Sequence, residues 1–541
     1  MGGFSKRAGS GARRTALVVM GLMLVVAMLV PVAPAFAAAP AILTPIPASG
    51  PVGTTVTITG ASFGTFTQDS RVTFNGVKSA PTVWREALII TTVPAGATTG
   101  PVIVSTTSGD SNPETFEVTA TPIPPTPTPT PLTPPAQTWY LAEGSTAYGF
   151  DSYILIQNTT TTAANVQVTY NTALGNVSRP QLLGVPASGR VTLHVNEELP
   201  NMDFSTTLAA TQPVVCERAM YWNNRVEGTE SIGVTLPSPT WYLAEGYTDN
   251  GYQTYVLVQN PLTSAAHVNV TYMTSKGLVQ KATVTVGAGQ RYTIDVNKDV
   301  PGCEVSARVD SDQPVICERS MYWDNKRGGH DSIGVTKGSK TWYMAEGSTA
   351  WGFRTYLLIQ NPTTNWANVD VTYNTAGGPQ AKPGFLMPPQ SRKTIFVNDD
   401  VENNDTSIWV TSDQEVIAER SMYWDNGTGK AGHETVAMPA PATSVFLAEG
   451  STAWGFDTYV CIQNPNDVDV TVNLTFMTLG GAVAVTSLPI VKGSRITAHL
   501  NQLIPNVDVA TQVQCDKPIM AERAMYWNNK GGGHSSIGWT R

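Results

Sequence analysis

Eight glutamates recur at fixed places in the C-terminal part of the chain. Glu143, Glu245, Glu346 and Glu449 each precede a glycine in a Leu/Met-Ala-Glu-Gly run, while Glu217, Glu318, Glu419 and Glu522 each precede an arginine. A pair of carboxylates about 5 to 9.5 Å apart is the equipment of glycoside hydrolysis, one as acid and one as base or nucleophile. A structural role fits the pattern better. Arg218, Arg319, Arg420 and Arg523 always follow the second set, and consecutive residues of a strand project to opposite faces, leaving each free for a partner on another strand. The arginine has Met and Trp two and four positions later on its own face. It is expected to be partly buried and paired with an acid, the first-set glutamate being the natural partner. A catalytic centre copied four times in one chain would be unusual, so no catalytic residue is assigned and the chain is read as non-enzymatic.

A second chemistry resides in aromatics. Tyr148, Trp351 and Trp454 stand in STAYGFD, STAWGFR and STAWGFD, glycine-containing loops where an exposed ring could stack on a sugar face; the second copy, YTDNGYQ, has Asn250 there. Phe150, Tyr252, Phe353 and Phe456 follow two residues later and are expected in a core. The same is expected of Trp222, Trp323, Trp424 and Trp527 and of the tyrosines before them, because large aromatics dominate such cores. His330, His433 and His534 sit in GGHDS, AGHET and GGHSS, with Thr229 in the first copy, and are expected to be loop residues bonded to backbone. Zinc wants three or four ligands at recognisable spacing, and the acidic NDDVENND from Asn398 has no glycine-punctuated calcium loop. No metal and no cofactor is expected. Phosphate loops, nucleophile elbows and HExxH patterns do not occur.

These residues belong to a repeat. CERAMYWNN from Cys216 returns as CERSMYWDN from Cys317, AERSMYWDN from Ala418 and AERAMYWNN from Ala521. Upstream of each lies TWYLAEG from Thr138, TWYLAEG from Thr240, TWYMAEG from Thr341 or SVFLAEG from Ser444. The period is about a hundred residues, which places units at 138–237, 238–339, 340–441 and 442–541. Each has seven or eight short β-rich runs, and VQVTY, VNVTY, VDVTY and VNLTF alternate apolar with polar as strands buried on one face do. Gln-Asn-Pro runs after a strand supply turn chemistry. The fold class is therefore all-β, each unit the size of one immunoglobulin-like sandwich. A closed propeller is the alternative, but its blades take about 40 to 50 residues and no half-repeat occurs inside any unit, so separate sandwiches in an elongated row are expected.

The remainder of the chain sets its compartment. Residues 1–37 carry a basic start, an apolar run from Ala16 to Val30 and Ala35-Phe36-Ala37, the layout of an export signal removed by cleavage. Residues 119–137 hold eight prolines in nineteen positions and are expected to form an extended polyproline spacer. A net charge of −8 leaves no basic footprint for nucleic acid. Five cysteines cannot all pair internally, and Cys216 and Cys317 become Ala418 and Ala521 in the later copies, so the site wants something small and no disulfide framework is implied. Cys461 with Cys515 and Cys303 with Cys317 remain open as pairs.

Between signal and spacer, residues 40–118 show β-rich runs at 54–59, 71–75, 87–93 and 101–106. The run IPASGPVG from Ile46, then TVTITGASFG, VTFNG, VPAGATTGPVIV and GDSNPETFEV, resembles an IPT/TIG domain, with glycines at that family's turns. The resemblance implies an immunoglobulin-like fold; in exported bacterial proteins such domains are spacers, adhesion modules or accessories to polysaccharide enzymes. The WYLAEG and AERxMYW repeats resemble tandem units of exported, actinobacterial-type surface proteins, which implies location more than activity. The resulting expectation is a secreted or surface-associated protein without a transmembrane span after signal removal, acting in adhesion, surface display or envelope structure. Its partner would be a cell-surface polysaccharide or another surface protein. Alternatives are a multivalent carbohydrate-binding protein using Tyr148, Trp351 and Trp454 and, less favoured, a polysaccharide-active hydrolase.

Overall fold

The computed structural model describes residues 38–119, 136–427 and 429–540. The export signal and nearly all of the proline-rich spacer lie outside these residues. Among them, no helix is long and apolar enough to cross a membrane.

The module at 40–118 is a compact unit of its own. Its runs of β-branched residues form Thr55–Ala61, Arg71–Phe74, Leu88–Thr92 and Gly100–Thr106, distributed over two sheets. Val56, Ile58, Val72, Phe74, Val102 and Val104 alternate inward from these strands, and the apolar set closes over Phe63 and Phe116. This is an immunoglobulin-like sandwich.

Each repeat is also built of two antiparallel sheets. In the second, Ser238–Leu243 pairs with the first half of a long strand, Val305–Trp323, which also pairs with Ala266–Thr274. The second half of that long strand enters the other sheet, between Gln253–Gln259 and Gly328–Ile333. The first repeat divides the same path into Phe204–Ala210 and Val214–Trp222. Trp139, Trp241 and Trp342 are fully buried between the sheets, each indole N–H donating to a carbonyl of the long path: Val214, Val315 and Val416. Asn158, Asn260, Asn361 and Asn464 tie the following turn by bonding carbonyls on both sides of it.

The repeats do not form a row. The strands that follow the signature hairpins, Glu227–Ile232, Gly328–Ile333, Lys430–Val436 and Gly532–Ile537, pack each against the next and the fourth against the first, so the units close into a ring around these axial strands. Closure is explicit at the hairpin before each axial strand. Trp222 donates to the carbonyl of Lys326, Trp323 to Lys430 and Trp424 to Lys530, each at 2.7 Å, and Trp527 returns to Val226 at 3.0 Å. The expectation of an elongated row is therefore corrected. All nine residues of Val214–Trp222 are buried. One sandwich can cover only one face of such a strand; the second face has to be covered by a neighbour. A head-to-tail contact whose rotation closes needs whole sandwiches and no half-repeat.

Candidate functional site

Strand alternation decides which neighbour each signature residue meets. Glu217, on one face, turns to the fourth repeat, where it accepts from the backbone N–H of Ala448 at 2.7 Å and of Glu449 at 3.0 Å. Arg218, on the other face, turns to the second repeat, reaching Glu318 at 2.6 Å and Asp331. The same step recurs around the ring: Arg319 bonds Glu434, Arg420 bonds Glu522 at 2.6 Å, and Arg523 bonds Glu230 at 2.5 Å. Glu318, Glu419 and Glu522 likewise accept from the N–H of Ala142, Ala244 and Ala345, each at 2.6 Å.

The glutamates of the first set join from the arginine's own repeat. Glu346, Glu449 and Glu245 lie 2.9, 3.3 and 3.5 Å from Arg420, Arg523 and Arg319, while Glu143 offers its backbone carbonyl to Arg218 at 3.1 Å. The anticipated partner is thus present, but the shorter bond of each of the four arginines goes to the adjacent repeat.

Burial sets the protonation of this interior. It pushes Glu143, Glu245 and Glu522 upward, Glu449 to about 7, and Glu230 and Glu434 well above the ordinary carboxylate value. Burial alone would make Arg420 less basic, but Glu522 and Glu346 more than offset it.

The histidines are a second correction. His330, His433 and His534 lie on the axial strands, buried, and not in loops. Their Nε2 atoms face the hydroxyls of Tyr423, Tyr526 and Tyr221 of a neighbouring repeat at 3.0 to 3.1 Å. Burial holds all three well below the usual imidazole value, with nearby arginines adding to the effect. Glu245, His330 and Glu434 bring ligand-type atoms within 4.8 Å of one another, as do Glu230, Glu449 and His534. Each group also contains a guanidinium, 3.2 Å from His330 Nδ1 in one and 3.1 Å from His534 Nδ1 in the other. Arginine can only donate, so Nδ1 accepts and Nε2 carries the proton. That is the chemistry of an ion-pair network, not of a cation cage.

The Tyr-Trp pairs are likewise not in the sandwich cores. Trp222 packs on Tyr322, Trp323 on Tyr423, Trp424 on Tyr526 and Trp527 on Tyr221, with ring centroids 5.3 to 5.8 Å apart. Phe150, Tyr252, Phe353 and Phe456 lie against the same seams. All five cysteines are free, so neither open pairing is formed.

The loop aromatics are placed differently. Tyr148, Trp351 and Trp454 are 78%, 75% and 83% exposed. They hold φ of 56°, 58° and 58°, as Asn250 does at 49°, and a glycine with φ of 82° to 85° follows each. A bulky residue in this left-handed region costs on the order of 1 to 3 kcal/mol and needs support from its surroundings. Support comes from below: Phe150 is buried, its N–H bonds the carbonyl of Ala147, and its own carbonyl accepts from Asn196. The loops lead into strands whose first residues pair with the end of the signature strand, Asp151 with Tyr221 and Phe456 with Trp527. They therefore stand at the hairpin-tip end of each repeat, and ring closure puts all four on one face.

A cation from the next repeat reaches the Tyr148 loop and, in the second and third repeats, the seam ring beside the loop. Lys326 lies 5.4 Å from the Tyr148 ring, Lys430 5.5 Å from Tyr252 and Lys530 5.0 Å from Phe353. These lysines were not singled out from the sequence, because the contact runs between repeats and leaves no local spacing.

An IPT/TIG domain occupies residues 40–118. A comparison with curated proteins finds no match. Among solved structures the chain is similar to Thermotoga maritima 1070, at 15% identity and a TM-score of 0.18 over 19% of this chain and 94% of that one. It is similar to the Anabaena sensory rhodopsin transducer at 21% identity and a TM-score of 0.14, over 15% and 95%. A third is the tetra-tandem repeat in the extending region of a large adhesion protein, at 13% identity and a TM-score of 0.10, over 70% and 91%.

Proposed function

We propose that the chain is a non-enzymatic surface or extracellular protein whose four-repeat ring binds a repetitive carbohydrate, with Tyr148, Trp351 and Trp454 as the contact residues. The observation that carries this reading is the presentation of three large, solvent-exposed rings on one face, each in the same strained loop conformation. Exposed aromatic faces suit the apolar faces of sugar rings. Three sites on a rigid frame add through effective concentration, so modest single contacts suffice for a polymer. The carboxylate pairs suit a hydrolase poorly: Glu217 is 0% and Glu143 5% exposed, both within the seams, where a polymer has no access. An export-type leader, a proline-rich spacer and an IPT/TIG domain ahead of the ring agree with display outside the cell.

Retention on insoluble polysaccharides and a glycan array test the reading. The Trp351→Ala, Trp454→Ala double variant is expected to lose at least about tenfold in retention, through lost avidity. Retention unchanged by the double variant, or capture of a surface protein with no glycan bound, overturns it.

A further inference from the structure

The four seams of the ring are not equivalent. Between the first and second repeats, Asp331 is satisfied by Arg218 on one oxygen and Thr229 on the other. Between the third and fourth, Ser535 replaces the acid and bonds His433 at 2.9 Å and Arg420 at 3.3 Å. The two remaining seams carry both the axial acid and the histidine. There, Glu434 on one side of the ring and Glu230 on the other each keep one buried oxygen, Oε1, for which no hydrogen-bond donor is found among the described residues.

The charges at these two seams do not balance. Around Arg319 stand Glu245, Glu419 and Glu434, with Tyr423 and His330 completing the shell. Around Arg523 stand Glu449, Glu217 and Glu230, with Tyr221 and His534, and the charge of Arg190 acts on Glu449 from outside. One guanidinium faces three carboxylates, and the imidazole is neutral because its Nδ1 accepts from that guanidinium. Glu434 and Glu419 both bring a carboxylate oxygen to Nη2 of Arg319, and Glu230 and Glu217 both bring one to Nη2 of Arg523. Three buried carboxylates around one guanidinium cannot all stay ionised; a proton on the orphaned oxygen of the axial acid, Glu434 or Glu230, turns that oxygen into a donor.

We propose that these two opposite seams each hold one proton shared among their carboxylates, so that closure of the ring is linked to proton uptake. The direction follows from linkage. A carboxyl whose affinity for the proton is raised on folding stabilises the ring fully below the ordinary carboxylate range, and that stability is lost as pH rises through the raised value. The buried histidines act oppositely, but only below about pH 6.5, above which they are neutral in both states. Between about pH 7 and 8 the carboxyls set most of the slope; above about pH 8 the buried thiols of Cys216, Cys317 and Cys461, which burial also raises, add to it with the same sign. Glu227 adds to it, since burial pushes it to about 8.

Chemical unfolding across that range reads the effect. Each retained proton makes the unfolding constant rise about tenfold per pH unit until it is released. The Glu230→Gln, Glu434→Gln double variant, which puts a permanent N–H donor in place of each proton, is expected to flatten the profile by about two protons and to leave the share of Glu227. Infrared spectra give an independent readout, with a protonated-carboxyl band near neutral pH in the native chain that diminishes in the double variant. Equal slopes in the two proteins, a native stability that is flat or increases with pH, or absence of the band overturns the proposal. If the double variant fails to fold, the native profile and band still decide.

Discussion

The seams and the tip face were copied the same four times and have diverged differently. Within the seams, the Glu-Arg pair is identical in every repeat, whereas on the tip face Tyr148, Trp351 and Trp454 tolerate Asn250 as a fourth member. The difference is one of partners. A buried guanidinium that loses its carboxylate is left desolvated and unpaired, while a ring facing water leaves nothing unsatisfied when it is replaced. The axial strand lies between these extremes: Thr229 and Ser535 replace a histidine and an acid with hydroxyls that still bond across the seam, Thr229 to Asp331 and Ser535 to His433 and Arg420.

This contrast can be broken by substitution. Arg420→Ala strands Glu522 and Glu346 at one seam and is expected to cost about 3 to 5 kcal/mol in urea unfolding. Because that seam is part of a closed ring, a single shifted transition is expected; separate transitions for the individual repeats would show that the ring does not act as one unit. Cys317→Ala is milder, about 1 kcal/mol, since Ala418 and Ala521 already fill the same place in later repeats. The Trp351→Ala, Trp454→Ala variant is expected within about 0.5 kcal/mol of the native chain, even as it loses retention on polysaccharide. A loss of several kcal/mol there would move those rings from the binding face to the frame and erase the comparison.

Some of this was legible in the sequence through period and alternation. The hundred-residue period marked the repeats, and the rule that neighbours on a strand face opposite ways placed Glu217 and Arg218 apart. The rule could not say that the partners of both faces would be other repeats, because every candidate partner occurs four times with the same spacing. The glycines beside the histidines misled for a related reason. A Cβ on Gly533, before His534, would come within 2.7 Å of Tyr526 and 3.0 Å of Trp424, and one on Gly228, before Thr229 at the same place in the first repeat, within 2.6 Å of the Tyr221 ring and 3.0 Å of Trp527. These glycines permit aromatic rings from two repeats to lie on a strand; they do not mark a turn, and the histidines beside them are in the ring's centre.

The sequence by itself determined the all-β class, the repeat, the IPT/TIG module and the chemical character of the signature residues, because each depends on local spacing. Only the tertiary structure decided that the repeats close on themselves. Closure depends on the angle at which one sandwich meets the next, and such an angle leaves no trace in a linear period. With closure came the unequal seams, the shared protons and the common face on which the loop aromatics stand.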